Sequence, residues 1–146
     1  MQKRKCGRSH PEIRDYGGEP LVFNIDHATK MNRNFRTALW TGDDLQLTLM
    51  SIPVGSDIGV EMHEDVDQFI RIEQGRAIVC MGRCQNGMNE RYLVNSDYAI
   101  IIPAGTWHNV VNAGKTPLKL YSVYAPPKHP RGTVHITKQE AQRSEH

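Results

Sequence analysis

No stretch of the 146-residue chain approaches the ~20 consecutive apolar residues of a membrane-spanning helix. An excess of charge is also missing. Eighteen Lys and Arg stand against 16 Asp and Glu, a formal net charge of +2, too small to argue for a nucleic-acid or membrane partner. The one basic cluster, Lys3, Arg4, Lys5 and Arg8, sits in an unpatterned N-terminal stretch and reads as a solvated tail. Cysteine is scarce: Cys6, Cys80 and Cys84 make an odd count with no disulfide framework. Cys80 and Cys84 lack the further thiols or histidines that structural zinc takes. With no signal-peptide pattern, the expectation is a cytoplasmic protein with reduced thiols. No glycine-rich loop opens a helix to cradle phosphate. Neither a nucleic acid nor a membrane is an expected partner.

What is present is a period of two. "LQLTLMSI" (45–52) puts Leu45, Leu47 and Leu49 on one face and Gln46, Thr48 and Met50 on the other. "QFIRIEQG" alternates Phe69, Arg71 and Glu73 against Ile70 and Ile72. "RAIVCM", "RYLV", "YAIIIPAG", "WHNVVNAG" and "LKLYSVYAP" follow, most of them separated by glycine, asparagine or proline. "QNG" (85–87) reads as a hairpin turn. Many short strands with turns between them predict an all-β sandwich or small barrel. Residues 27–40 read as irregular or partly helical. Thr137 with Glu140 fits a capping box for a short C-terminal helix. The expected organisation is an N-terminal arm over 1–25, a barrel over 26–136, and a helix and tail over 137–146.

The chemistry gathers in two stretches. Glu61 and His63, at i and i+2, share a strand face, with Met62 opposite. "EDVD" reads as a bend, and a tight connection there would return Gln68 beside the pair. His108 follows Pro103 and Gly105 in "IIIPAGTWHNVVN". Imidazole and carboxylate donors on neighbouring strands suit one divalent transition metal: zinc, iron, manganese, nickel, cobalt or copper. On these residues alone an acidic surface hairpin is the better fit, because exposed strands often carry such pairs. Tyr124 shares a face with Leu118 and Leu120 and would line a pocket if that face turns inward. His129, Arg131 and His135, in the proline-rich 124–138 stretch, stand either at a barrel mouth or on an outer surface. Trp107 is expected outside the site. A phosphate would have to rely on Arg36, Arg71 or Arg131.

Together the two stretches resemble the two motifs of the cupin superfamily. The first motif is glycine, five residues, His-x-His, three or four residues, glutamate, six residues, glycine. Here Gly55, Glu61, His63, Gln68 and Gly75 occupy those places. The second is glycine, five residues, Pro-x-Gly, two residues, histidine, three residues, asparagine. Asp97, Pro103, Gly105, His108 and Asn112 match that spacing. Glu61 replaces a histidine, Gln68 a glutamate and Asp97 a glycine, so the carboxylate would move from one ligand position to the other. The resemblance implies a double-stranded β-helix, or jelly-roll, barrel. It implies a metal held by Glu61, His63, Gln68 and His108, and a homodimer with an arm crossing to the partner. "PAGTWHN" and "YAPPKHPRGTVHITK" are similar to small cupins described as mannose-6-phosphate-isomerase-like. The implied activity is an isomerase acting on a small sugar or carboxylate, with Glu61 and Tyr124 as catalytic candidates. A dioxygenase and a non-catalytic binding barrel are the alternatives.

Overall fold

The computed structural model describes residues 12–144. Helix α1 (Ile25–Met31) precedes β1 (Arg36–Thr41), β2 (Gln46–Ile52), β3 (Asp67–Gln74), β4 (Ala77–Gly82) and β5 (Glu90–Val94). Then come β6 (Ala99–Ile102), β7 (Trp107–Asn112), β8 (Leu118–Ala125), β9 (Val134–His135) and helix α2 (Lys138–Ser144). Six strands form one antiparallel sheet in the order β6-β3-β8-β2-β1-β9, and three form a second in the order β5-β4-β7. This is the expected all-β jelly roll with a short C-terminal helix.

The period of two decides what faces what. Opposed residues of antiparallel strands share a face. Met50, Ile70, Ile72, Val79, Ile100, Val110, Leu118 and Leu120 fill one cluster between the sheets. Gln46, Thr48 and Met50 therefore face inward, and Tyr124 does too, because it pairs with Gln46 on one side and Gln68 on the other. Leu47 and Leu49 face outward yet stay buried, in a second cluster with Ala28, Leu39 and Tyr121. Ile13, Tyr16, Phe23 and Ile25 pack against that cluster. Thus part of the expected arm lies on the chain's own sheet. Tyr16 N–H donates to the Leu39 carbonyl at 2.7 Å, and Trp40 Nε1 donates to the Glu19 carbonyl at 2.6 Å. Cys6 and the basic cluster at residues 3–8 lie outside the described residues. Cys80 and Cys84 are free thiols.

The turn positions of both motifs have a backbone cause. Gly75 has φ 103°, and a Cβ there would lie 3.2 Å from Leu118 Cδ1. Asp97, at the place of a motif glycine, adopts φ 75°, a conformation that Asp tolerates better than most residues. Arg71 pairs with its carboxylate at 2.8 Å. The 85–87 turn is a single 3₁₀ turn between β4 and β5. At α2, Thr137 Oγ1 accepts from Glu140 N–H at 3.1 Å, and the Glu140 carboxylate accepts from Ile136 N–H at 2.7 Å. The capping box therefore closes one residue earlier than the motif places it.

Candidate metal centre

The two motifs are joined by backbone. Glu61 N–H donates to the His108 carbonyl and His108 N–H to the Glu61 carbonyl, each at 2.9 Å. This reciprocal bridge sets the two residues directly opposite each other, with side chains on one face. Gly105 N–H donates to the His63 carbonyl at 2.8 Å. His63, two residues beyond Glu61, returns to the same face. Glu61 Oε1 lies 3.5 Å from His63 Nε2 and 3.7 Å from His108 Nε2. The possible ligating atoms of all three residues fall within 4.8 Å of one another.

Each member is prepared for a ligand. His108 Nδ1 lies 3.0 Å from the Thr106 carbonyl. A carbonyl only accepts, so Nδ1 carries the proton and Nε2 presents its lone pair. That Nε2 is buried with no hydrogen-bond partner among the described residues, as are both ring nitrogens of His63. Burial alone would raise the Glu61 carboxyl. His108, His63 and the charge of Arg36 outweigh it and hold the group well below the usual carboxylate range. Arg36, 1% exposed, places Nη2 3.8 Å from Glu61 Oε2.

Gln68 arrives by a different route from the one expected. Glu61 bridges to β7 of the three-stranded sheet, whereas Gln68 belongs to β3 of the six-stranded sheet. Residues 62–66 thus carry the chain between sheets rather than folding a tight hairpin. Gln68 Nε2 donates to Ser122 Oγ at 3.2 Å, which leaves Oε1 buried without a partner among the described residues. Its strand neighbour Tyr124 has its ring centroid 6.0 Å from that of His63. Burial raises the Tyr124 phenol.

A cavity of about 710 Å³ opens over Glu61 and His63, lined also by Met62, Trp107, Lys128, His129, His135 and Glu140. Trp107, expected outside, lines this mouth because it is the first residue of β7 and sits at the rim. His129 and His135 take the mouth position. Arg131 is exposed and acts on Asp15 instead. Arg71 is likewise outside, paired with Glu73 and Asp97. The His129 ring meets Tyr124 edge-on at 5.2 Å. Burial, followed by the charge of Arg36, pushes the His129 imidazole down to about 3. The part that sequence reading left least defined is the inner polar wall of Arg36, Gln46, Thr48 and Ser122. Its one signal is the polar Gln46–Thr48 alternation within a strand whose other face is leucine.

Two imidazoles whose Nε2 atoms have no partner among the described residues and one ionised carboxylate, converging under an open cavity, fit a divalent transition metal. The unpaired Oε1 of Gln68 adds a further oxygen on the same inner wall. The cupin domain family matches residues 48–124, which span both motifs. The chain belongs to the cupin family. This cupin is 61% identical over 129 residues to the protein YrkC of Bacillus subtilis (strain 168), covering 88% of this chain and 69% of that one. It is 60% identical to BH2720 of Bacillus halodurans, whose crystal structure superposes with TM-score 0.89 over 90% of this chain and 99% of that one. The cupin domain of Schizosaccharomyces pombe Cnp3, 17% identical, shares the fold at TM-score 0.61 over 73% of this chain and 70% of that one.

Proposed function

We propose that this cupin is a metal-dependent enzyme that moves a proton on a small polar substrate held in the barrel, an isomerase-type reaction. The observation that carries this reading is the convergence of the unpartnered His63 and His108 nitrogens on the Glu61 carboxylate beneath the mouth cavity. Glu61, His63 and His108 are the protein ligands, with Gln68 Oε1 as a weaker fourth. A divalent ion there supplies Lewis-acid polarisation of a bound carbonyl or hydroxyl. Glu61, held ionised, serves as a ligand and not as the proton carrier. Tyr124 keeps its phenolic proton at neutral pH and acts as hydrogen-bond donor. His129 stays neutral, and its buried Nε2, without a partner among the described residues, is the base that would take the proton from one substrate carbon and return it to the next. The mannose-6-phosphate-isomerase-like subtype gains little support, because only Arg36 of the three expected phosphate arginines borders the site.

The test uses metal-loaded protein in D₂O with a panel of small aldoses, ketoses and hydroxycarboxylates. Nuclear magnetic resonance follows deuterium entering beside the carbonyl. Exchange in the wild type that is lost in His63→Ala and strongly slowed in Tyr124→Phe supports the reading. No exchange with any substrate at full metal occupancy overturns it. The two-His, one-carboxylate donor set favours a second reading, an iron-dependent oxygenase. Oxygen uptake by the iron-loaded protein would select it.

A further inference from the structure

The guanidinium of Arg36 is buried but incompletely satisfied. Nη1 donates to His135 Nδ1 at 3.2 Å, and the group lies 5.6 Å from the centroid of the Phe35 ring. The remaining edge, formed by Nε–H and Nη2–H, is the fork that matches a carboxylate with two parallel hydrogen bonds. Among the described residues no hydrogen bond closes that fork. Nη2 lies 3.8 Å from Glu61 Oε2, beyond hydrogen-bond distance, and Nε has no partner among the described residues. Arg36 lines a cavity of about 240 Å³ with Ile58, Gly59, Lys138 and Glu61. That cavity shares Val60 and Glu61 with the larger mouth cavity.

Charge completes the argument, and here it rests on the metal reading above. Without a metal, Glu61 is the negative charge facing buried Arg36. Once Glu61 serves a divalent ion, the ion, Glu61 and Arg36 together carry a net positive charge in a buried place. An uncompensated buried charge is costly unless it is paired. At the mouth Lys128 and Glu140 offset each other, and Lys138 is already paired with Asp57, so the excess stays at the metal and Arg36. We propose that the site takes a small carboxylate, received by the open fork of Arg36 once Glu61 is engaged by the metal. A neutral polyol would leave both the fork and the charge unanswered. A carboxylate fills one planar fork, and among the described residues no second guanidinium borders the cavity to favour a phosphate dianion.

Calorimetry with glycolate, ethylene glycol and inorganic phosphate on zinc-loaded and zinc-free protein tests this, with zinc content measured separately. Glycolate should bind the zinc-loaded wild type at least tenfold more tightly than it binds the zinc-free protein or than either other probe binds. Arg36→Gln should weaken glycolate at least tenfold at unchanged zinc content, and Arg36→Lys should weaken it less. Equal glycolate affinity in Arg36→Gln overturns the proposal, as does equal affinity with and without zinc. Phosphate binding more tightly than glycolate also overturns it. Should Arg36→Gln lose zinc or fail to fold, the wild-type Arg36 Nε–H resonance decides. A shift on glycolate saturation supports the fork, and an unmoved resonance rejects it. A wild type that binds no divalent metal refutes the metal reading itself, a result that the zinc assay reports independently of any anion.

Discussion

His108 Nδ1 lies 3.0 Å from the carbonyl oxygen of Thr106, two residues earlier in the chain. One backbone oxygen thereby fixes the tautomer that turns the Nε2 lone pair toward Glu61. Gln68 has no such arrangement toward a metal, since its amide is tied to Ser122 and offers only a neutral oxygen. Glu61→Gln should therefore weaken metal binding by more than the roughly 10- to 100-fold typical of a second-layer partner. Gln68→Ala should cost about tenfold or less. Competition with a chelating dye measures both. Full occupancy in Glu61→Gln with loss in Gln68→Ala would invert the assignment and free Glu61 as a base.

Metal that binds only the folded protein should stabilise it by mass action. At a metal concentration a hundredfold above its dissociation constant the gain is about 2.7 kcal/mol. Chelation should lower the melting temperature of loaded wild type, and His63→Ala should melt identically with and without chelator. Differential scanning calorimetry checks this, and an unchanged wild-type curve counts against it.

Gln46 holds the strap over the mouth. It is fully buried. Its Oε1 accepts from Lys128 N–H at 3.0 Å and His129 N–H at 2.9 Å. Its Nε2 donates to the His129 carbonyl at 2.8 Å and Thr41 Oγ1 at 3.0 Å. Gln46→Ala leaves those backbone groups without their partner, at about 1–3 kcal/mol. Hydrogen exchange at Lys128 and His129 should accelerate more than exchange in β3. Uniform change across the chain would show a general loss of stability instead.

Helix α2 is fastened at its start by Lys138 to Asp57, which also accepts from Asn109 Nδ2 at 2.8 Å. Burial would raise the Asp57 carboxyl, but Asn109 and Lys138 outweigh it, and the group sits below its ordinary value. A carboxyl lowered by folding stabilises the protein above its unfolded value, ~3.9 for Asp. That stability is lost as pH falls through the lower folded value. Asp57→Asn should thus cost roughly 1 kcal/mol or less at pH 7, because the pair is partly exposed. The cost should vanish in strongly acidic solution. Urea denaturation at neutral and acid pH measures the difference, and an equal cost at both would refute the linkage.

The motif spacings made Glu61, His63 and His108 legible, because period two and turn glycines are local properties. Asp97 is the clearest case: it stands at a motif glycine's place, and the backbone there adopts φ 75°. The inner wall was not legible in the same way. Alternation separates Gln46 and Thr48 from Leu47 and Leu49 but does not say which set turns inward. Here both sets are buried, one in the barrel and one against α1 and residues 13–25. Arg36 meets Glu61 only because β1 joins the six-stranded sheet, a pairing across distant sequence. Trp107 reaches the mouth through its place at a strand end, which face assignment ignores.

The most direct measurement is the metal content of protein purified without added metal and then dialysed against zinc, for the wild type and His108→Ala. Elemental analysis should find one divalent ion per wild-type chain after loading, and little or none in His108→Ala at preserved β-sheet circular dichroism. A folded wild type that retains no ion, or a His108→Ala protein that retains a full one, would contradict a metal held by Glu61, His63 and His108.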